Sequence, residues 1–353
     1  MGQKAWSKAQ SFNKAICFGK ITVEKKVKGD GFMIKIGIVG YGNLGKGVEQ
    51  SISKQPDMEV YGVFSRRDPK TVKTAGSDVY HFDNILDHKG KIDVLVLCGS
   101  SEKDLRSQSP QLAEHFNLVD SFDMHALILD HVGKVNVVAE ANKTTALVSV
   151  GWDPGIFSLQ KTIMDAILPD GKTSSFWGPG ISQGHSDVAS RVNGVVVAKN
   201  YSIPNEDNVN DFRDHKEIDP ALSHHKEVYV VAEDGADHSK IEEEIKNIPH
   251  YFKGGKTIVK FISQEEMTKD HSEWAQGGRV IRAAKTSDDY SHTVEFSVKL
   301  DSNPEFTSTV LVAYARAVHN MHQRDEYGAF TALDVRGRDL SSKTRDQLIK
   351  EML

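Results

Sequence analysis

The stretch that most limits what this chain can fold into is Ile34 to Arg67, IKIGIVGYGNLGKGVEQSISKQPDMEVYGVFSRR. An apolar run, Ile34 to Val39, reads as a buried parallel strand. It breaks at Gly40-Tyr41-Gly42-Asn43-Leu44-Gly45, a complete G-x-G-x-x-G. An amphipathic segment with Val48 and Ile52 on one face follows, then a second strand, Glu59 to Phe64. Strand, glycine turn, helix and strand in this order form the context in which the motif carries meaning. The first glycine permits the tight turn, the second lets the backbone approach a pyrophosphate, and the third lets the helix pack on the strand. The anion then meets free N–H groups at a helix N-terminus.

The end of the second strand selects the dinucleotide. A site for the unphosphorylated cofactor normally carries an acid there, for the ribose 2′-hydroxyl. This chain has Ser65-Arg66-Arg67. Two guanidinium forks and a hydroxyl suit a 2′-phosphate, so the residues predict NADP(H). A solvated basic turn, partly neutralised by Asp68, is the plain alternative.

Length and charge set the frame. At 353 residues the chain has room for two or three domains. A net charge of −5 gives no broad basic field, which argues against nucleic acid as a partner. The two cysteines, Cys17 and Cys98, allow no disulfide framework and no CxxC metal spacing, and they fit a reducing cytoplasm. No apolar run approaches the about 20 residues that cross a bilayer, so no membrane partner is expected. Residues 1–32 carry Lys4, Lys8, Lys14, Lys20, Lys25, Lys26 and Lys28 with few acids, and read as a disordered basic extension.

Further along, Lys91 to Cys98 reads as a strand covered on both faces, ending in the small-residue loop Gly99-Ser100-Ser101. Ligands of open α/β sheets bind at that edge. Cys98 reads as apolar filler in preference to a reactive thiol. A helix is expected from Leu105 to His115 and a strand at Leu118 to Asp120, followed by Ser121-Phe122-Asp123. Asp120 and Asp123 are candidates to face a substrate amine, with helix capping by Asp123 as the bland reading. Another strand, Thr145 to Val150, runs into Gly151-Trp152-Asp153-Pro154-Gly155, where the composition shifts.

Beyond this point lies the glycine-rich FWGPGISQGHSD, residues 176–187. His185 and Asp187 lack a third ligand at recognisable spacing, so a structural histidine is expected and no metal. Strands are predicted at Val195–Ile203, Glu227–Ala232, Thr257–Ile262 and His292–Leu300, with a helix at Ser239–Asn247. His215, His224 and His225 read as solvated. The pattern predicts an α+β domain with a mostly antiparallel sheet, joined to a Rossmann-type doubly wound parallel sheet domain. Helices at Ser308–His322 and Ser341–Leu353 close the chain. The expected division is 33–151 for NADP binding, 152–322 for substrate binding and dimerisation, and 323–353 as a segment packing back on the first domain.

The segments GYGNLG, FSRR, VDSFDMH, SVGWDPG, FWGPGISQGHSD and LDSNPEF, in this order, resemble the meso-diaminopimelate dehydrogenase family from about Met33 to Leu353. The resemblance implies NADP-dependent oxidative deamination of the D-centre of meso-2,6-diaminopimelate to L-2-amino-6-oxopimelate, which cyclises to tetrahydrodipicolinate, with release of ammonia. It also implies the reverse amination in lysine biosynthesis, and a homodimer. Cofactor contacts are implied at Tyr41, Asn43 and Leu44 with the flanking Gly40, Gly42 and Gly45, and at Ser65, Arg66 and Arg67. Others fall on Cys98, Gly99, Ser100 and Ser101, on Ser121, Phe122 and Asp123, and on Val150, Gly151, Trp152, Asp153 and Pro154. Substrate contacts are implied at Asp123, Asp153, Trp177, Gln183, Gly184, Ser202, Lys226, Gln276 and Asn303.

Three of these depart from the family pattern, which has Thr, Arg and His where this chain has Ser202, Lys226 and Gln276. Lys keeps the charge but loses the bidentate fork, and Gln donates without becoming charged, so altered carboxylate recognition is expected. Asp120, Asp123 and Asp153 are the candidate catalytic carboxylates. Another NADP-dependent amino-acid oxidoreductase on the same scaffold, or a non-catalytic NADP sensor, remains the alternative.

Overall fold

The computed structural model describes residues 33–249 and 251–353; the expectation for residues 1–32 lies outside them. The chain begins with β1 (Ile34–Val39), α1 (Asn43–Ile52), β2 (Met58–Ser65), β3 (Val79–His81) and β4 (Val94–Leu97). A π-helical turn, Ser101–Leu105, leads into α2 (Arg106–Ala113), β5 (Leu118–Asp120), α3 (Ile128–Asn142), β6 (Thr145–Leu147) and α4 (Ile156–Ile167). Next come β7 (Gly171–Trp177), β8 (Gly180–Ser182), α5 (Gln183–Ala189), β9 (Val195–Pro204), α6 (Glu206–Arg213), β10 (His224–Ala232) and α7 (His238–Lys246). The remainder is β11 (Thr257–Phe261), α8 (Gln264–Asp270), β12 (Gln276–Ser287), β13 (Tyr290–Leu300), α9 (Asn303–His322), β14 (Gly328–Phe330) and α10 (Arg345–Met352).

Seven strands form one parallel sheet in the order β14-β6-β5-β4-β1-β2-β3. The chain winds outward from β1 on one side, then crosses to β4 and winds outward on the other. The reversal between β1 and β4 opens a crevice at their carboxyl ends, where such sheets bind ligands. Alternate strand residues face opposite layers. Ile36, Ile38, Val94, Val96 and Val119 pack toward α1 and α9. Leu95, Leu97, Leu118 and Phe64 pack toward α2 and α3. All nine are buried, each contributing on the order of 1.5–3 kcal/mol before entropy is counted.

Helix α9, expected in the second domain, belongs to the first core instead. Its Val310, Leu311, Tyr314 and Val318 are buried against the parallel sheet. A Cβ on Gly47 of α1 would lie 2.4 Å from the Ser308 hydroxyl, so the two helices meet at a glycine. Strand β14 extends the same sheet, so the chain does return to the first domain after His322. Helix α10 has no buried residue and starts after Thr344, its N-cap.

The second region holds two smaller sheets, β11-β10-β9-β8 and β13-β12-β7. All their pairings are antiparallel except β10 with β11. They join where Gly178 N–H donates to the Gly277 carbonyl (2.7 Å) and Ile181 N–H to that of Ala275 (2.8 Å). Helices α5 and α7 cover one sheet and α4 the other.

Candidate functional site

The glycine turn sits over the crevice. Gly40 has φ +90°, a left-handed value that glycine adopts without strain. A Cβ on Gly45 would lie 2.2 Å from the Gly40 carbonyl oxygen, whereas space above Gly42 is open. No side chain caps α1, so the N–H groups of its first turn face that space. These features fit a bound pyrophosphate.

Beside the turn, a small pocket of about 30 Å³ is lined by Val39, Phe64, Arg66, Phe82, Gly99 and Asp104. Arg66 reaches the Asp104 carboxylate at 2.9 Å. Arg67 donates from its guanidinium to the Tyr41 carbonyl (2.7 Å) and from its backbone N–H to the Ser65 hydroxyl (3.1 Å). Arg66 lines this pocket and Arg67 is held on the glycine turn, each with donors left for a phosphate. Burial, then the hydrogen-bonded Glu49, pushes the Tyr41 phenol up to about 12. Tyr41 thus stays neutral beside the anion cradle. Burial alone pushes the Cys98 thiol up, which removes its nucleophilic form at neutral pH.

The candidate carboxylates separate sharply. Asp123 is exposed, and its Oδ1 accepts from the Ser101 hydroxyl at 2.6 Å. It caps no α-helix. The Asp153 side chain is 3 % exposed, with Lys161 Nζ 3.7 Å from Oδ1. Its Oδ2 accepts from the Trp177 indole N–H, while Oδ1 has no hydrogen-bond partner among the described residues. Asp120 corrects the sequence expectation. It is fully buried, and its oxygens accept from Ser109, His131, Phe122 N–H and Ser149 N–H. Four donors fill its four acceptor positions, so it has none to offer a substrate.

Phe122 is fully buried as well, and Val150 likewise, so any cofactor contact they make is through backbone. The Trp152 indole donates to Asn303 Oδ1 at 2.9 Å, which joins the GWDPG loop to the start of α9. Gln183 and Gly184 are exposed at the start of α5, and the Tyr251 ring is the nearest neighbour, at 3.8 Å, of a Cβ built on Gly184. The Tyr251 phenol is raised by burial and then by the charge of Asp123. Arg191 bonds Glu102 at 2.6 Å, tying the loop after β4 to the end of α5.

The three departing residues come together. Lys226 on β10 is directly paired with Ser202 on β9, and Ser202 with Gly180 on β8. A Cβ on Gly180 would lie 2.3 Å from Gln276 Cα, so glycine is what lets β12 approach. Lys226 Nζ donates to the Tyr251 carbonyl at 2.6 Å, and burial lowers its pKa. Gln276 Oε1 accepts from Gly277 N–H at 3.1 Å.

His224 was expected to be solvated, but it is part of this wall. Its Nε2 accepts from Trp177 N–H at 2.8 Å. Burial, then the Lys226 charge, pushes both His224 and His185 down to about 4. His185 is held between the Ser182 hydroxyl (2.9 Å) and the Tyr251 carbonyl (3.1 Å), as expected of a structural ring. Sequence reasoning missed Tyr251, Lys161 and the wall role of His224; none stands in a motif, and only strand register brings His224 beside Trp177. Among the described residues no group of three His, Cys, Asp or Glu side chains could hold a metal ion. Nor is any helix there long and apolar enough to cross a membrane.

Residues 151–302 match the family model described as diaminopimelic acid dehydrogenase C-terminal domain. The meso-diaminopimelate D-dehydrogenase of Ureibacillus thermosphaericus is 48% identical over 323 residues, 91% of this chain and 99% of that protein. The solved Corynebacterium glutamicum DAP dehydrogenase in complex with DAP is 40% identical, with a TM-score of 0.87 over 91% of this chain and 99% of that one. An engineered D-amino acid dehydrogenase bound to NADP+ is 40% identical, with a TM-score of 0.85 over 91% and 100%. The chain belongs to the meso-diaminopimelate D-dehydrogenase family.

Proposed function

We propose that this chain oxidises the D-configured centre of meso-2,6-diaminopimelate with NADP+ and water. The products are L-2-amino-6-oxopimelate, ammonium, NADPH and a proton, and the reverse reaction aminates. The observation that carries the reading is the pair of loops carrying Asp123 and Asp153 at the carboxyl edge of the same parallel sheet that presents Arg66 and Arg67 after β2. NADP+, when bound, accepts the hydride.

The chain's own residues hold the α-carbon in place and manage protons, exploiting orientation over bulk encounter. The amine must lose a proton before hydride leaves. Asp153 Oδ1, buried without a hydrogen bond, and the exposed Oδ2 of Asp123 are the groups placed to take it. The carboxylate that takes the proton becomes neutral, and the charge of the other steadies the developing iminium carbon–nitrogen bond until water adds and ammonia departs. Trp177 fixes Asp153 through its indole N–H.

Ser202, Lys226 and Gln276 are assigned to the carboxylate of the far end. Lys226 shares its three donors with the Tyr251 carbonyl, and Gln276 offers only Nε2. This cluster favours a second reading, a broader amino-acid oxidoreductase, which the substrate panel decides. NADPH should form with the meso isomer and not with the LL isomer. Equal rates with simple D-amino acids would support the broader reading.

A homodimer in the cytoplasm, without nucleic acid, completes the proposal. Ile163 and Ile167 on α4 are 44% and 62% exposed, and Leu333, in a turn packed on α4, is 52% exposed. Such a patch suits a second copy. Light scattering that returns a monomer mass at micromolar concentration would contradict the dimer.

A further inference from the structure

Asp120, removed from the proton acceptors by its burial, lies where the two catalytic loops meet. Its Oδ1 accepts from Phe122 N–H at 3.1 Å and from Ser149 N–H at 2.8 Å. Its backbone carbonyl accepts from Val150 N–H at 2.9 Å. Oδ2 accepts from the Ser109 hydroxyl on α2 at 2.6 Å and lies 2.8 Å from His131 Nε2 on α3. One residue therefore staples the loop carrying Asp123 to the loop carrying Asp153, and anchors both to two helices. Asp123 follows Phe122 directly; Asp153 lies four residues after Ser149.

Two neighbours show that the staple holds a particular geometry. Ser149 has φ +58°, left-handed and uncommon for a residue other than glycine. Such a conformation persists only where surrounding bonds over-determine it. Phe122 is fully buried and stacks on the His131 ring, with centroids 4.1 Å apart and planes 15° apart. The ring that donates to Asp120 thus also fixes the residue before Asp123.

We propose that Asp120, held by His131 and Ser109, is a positioning residue that sets the spacing of Asp123 and Asp153 around the reacting amine. This rests on the assignment of those two carboxylates to the amine. Asp120 transfers no proton; its fixed negative charge collects four donors, two of which belong to the loops. In Asp120→Asn the side-chain oxygen keeps both loop N–H bonds. Its amide N–H groups can reach the Ser109 oxygen and, after a tautomer change, His131 Nε2. In His131→Phe the stack on Phe122 survives but the donor is lost; His131→Gln restores a donor.

The test measures kcat, KM for each substrate, the pH profile and Tm for these three variants. Positioning predicts that Asp120→Asn retains kcat within about ten-fold, with the acid limb of its pH profile in place. It predicts that His131→Phe loses at least five-fold in kcat with KM for NADP+ changed less than two-fold, and that His131→Gln recovers part of the loss. Asp120→Asn that folds but loses its acid limb and more than a thousand-fold in kcat would make Asp120 the proton acceptor and overturn the proposal. His131→Phe with a lowered Tm but wild-type kcat would also overturn it, since the network would then be structural only. Asp123→Asn and Asp153→Asn run beside these variants; full kcat in both would remove the underlying assignment, a different failure from the two above.

Discussion

At the scale of single residues, the account turns on charge placed against charge. Arg66 pairs with Asp104 and Arg67 is held on the Tyr41 carbonyl, where the proposal sets the coenzyme's 2′-phosphate. A charge-assisted hydrogen bond contributes about 1.5–3 kcal/mol, so replacing either by Ala should weaken NADPH binding roughly ten-fold or more, with little change for NADH. Fluorescence titration with both coenzymes checks this, and equal losses would contradict it. Lys226→Arg, which supplies a fork in place of a point charge, should lower KM for meso-diaminopimelate, and an unchanged KM would remove Lys226 from the carboxylate site. Two acids three positions apart, Asp120 and Asp123, look alike in sequence. One is a fully buried hub and the other is exposed, because only the tertiary fold delivers Ser109, His131 and the Ser149 N–H to the first.

At the scale of elements, legibility followed apolar periodicity. Strands β1, β2, β4, β9, β10 and β11 are continuous or alternating apolar runs and stand in the sequence within a few residues of their place. Helix α3 does not announce itself: Leu129 and Val137 are 87% and 71% exposed, so apolar residues fall on all its faces. Strand β12 opens on Gly277-Gly278 and buries Arg282, whose guanidinium bonds the Leu168 and Pro169 carbonyls, so it shows no alternation. Strand β14 has three residues, too few for any pattern. The contact of α1 with α9 gives a stability test. Gly47→Ala forces a methyl against Ser308 and should cost about 1–3 kcal/mol in urea unfolding; a neutral change would mean that the helices part freely. Deleting residues 345–353 should change Tm and kcat little, because no residue of α10 is fully buried.

At the scale of the whole molecule, the wall that holds His185, His224 and Lys226 also shapes its pH response. His185 and His224 titrate near 4 in the folded chain against an ordinary 6.5. Between those values the unfolded chain binds more protons, so stability falls as pH falls from about 6.5 to about 4, and the loss grows no further below that. His224→Gln keeps an acceptor for Trp177 N–H and should narrow the difference between urea midpoints at about pH 7 and pH 5, those conditions falling either side of the upper limit. An unchanged difference would show that the ring is not buried neutral. The parallel sheet, its glycine turn and its coenzyme were readable because backbone geometry demands glycine and a phosphate demands Arg. The far wall was readable only in part, since Tyr251 and His224 stand in no motif and only the tertiary fold brings them to Lys226 and Trp177.

The central claim joins a phosphorylated coenzyme to the deamination of one stereocentre. Its most direct measurement follows reduced coenzyme and ammonia together when purified protein meets meso-diaminopimelate, with NADP+ and with NAD+ in parallel. The account predicts equal amounts of NADPH and ammonia, and a far lower rate with NAD+. Faster turnover with NAD+, or reduced coenzyme without ammonia, would contradict it.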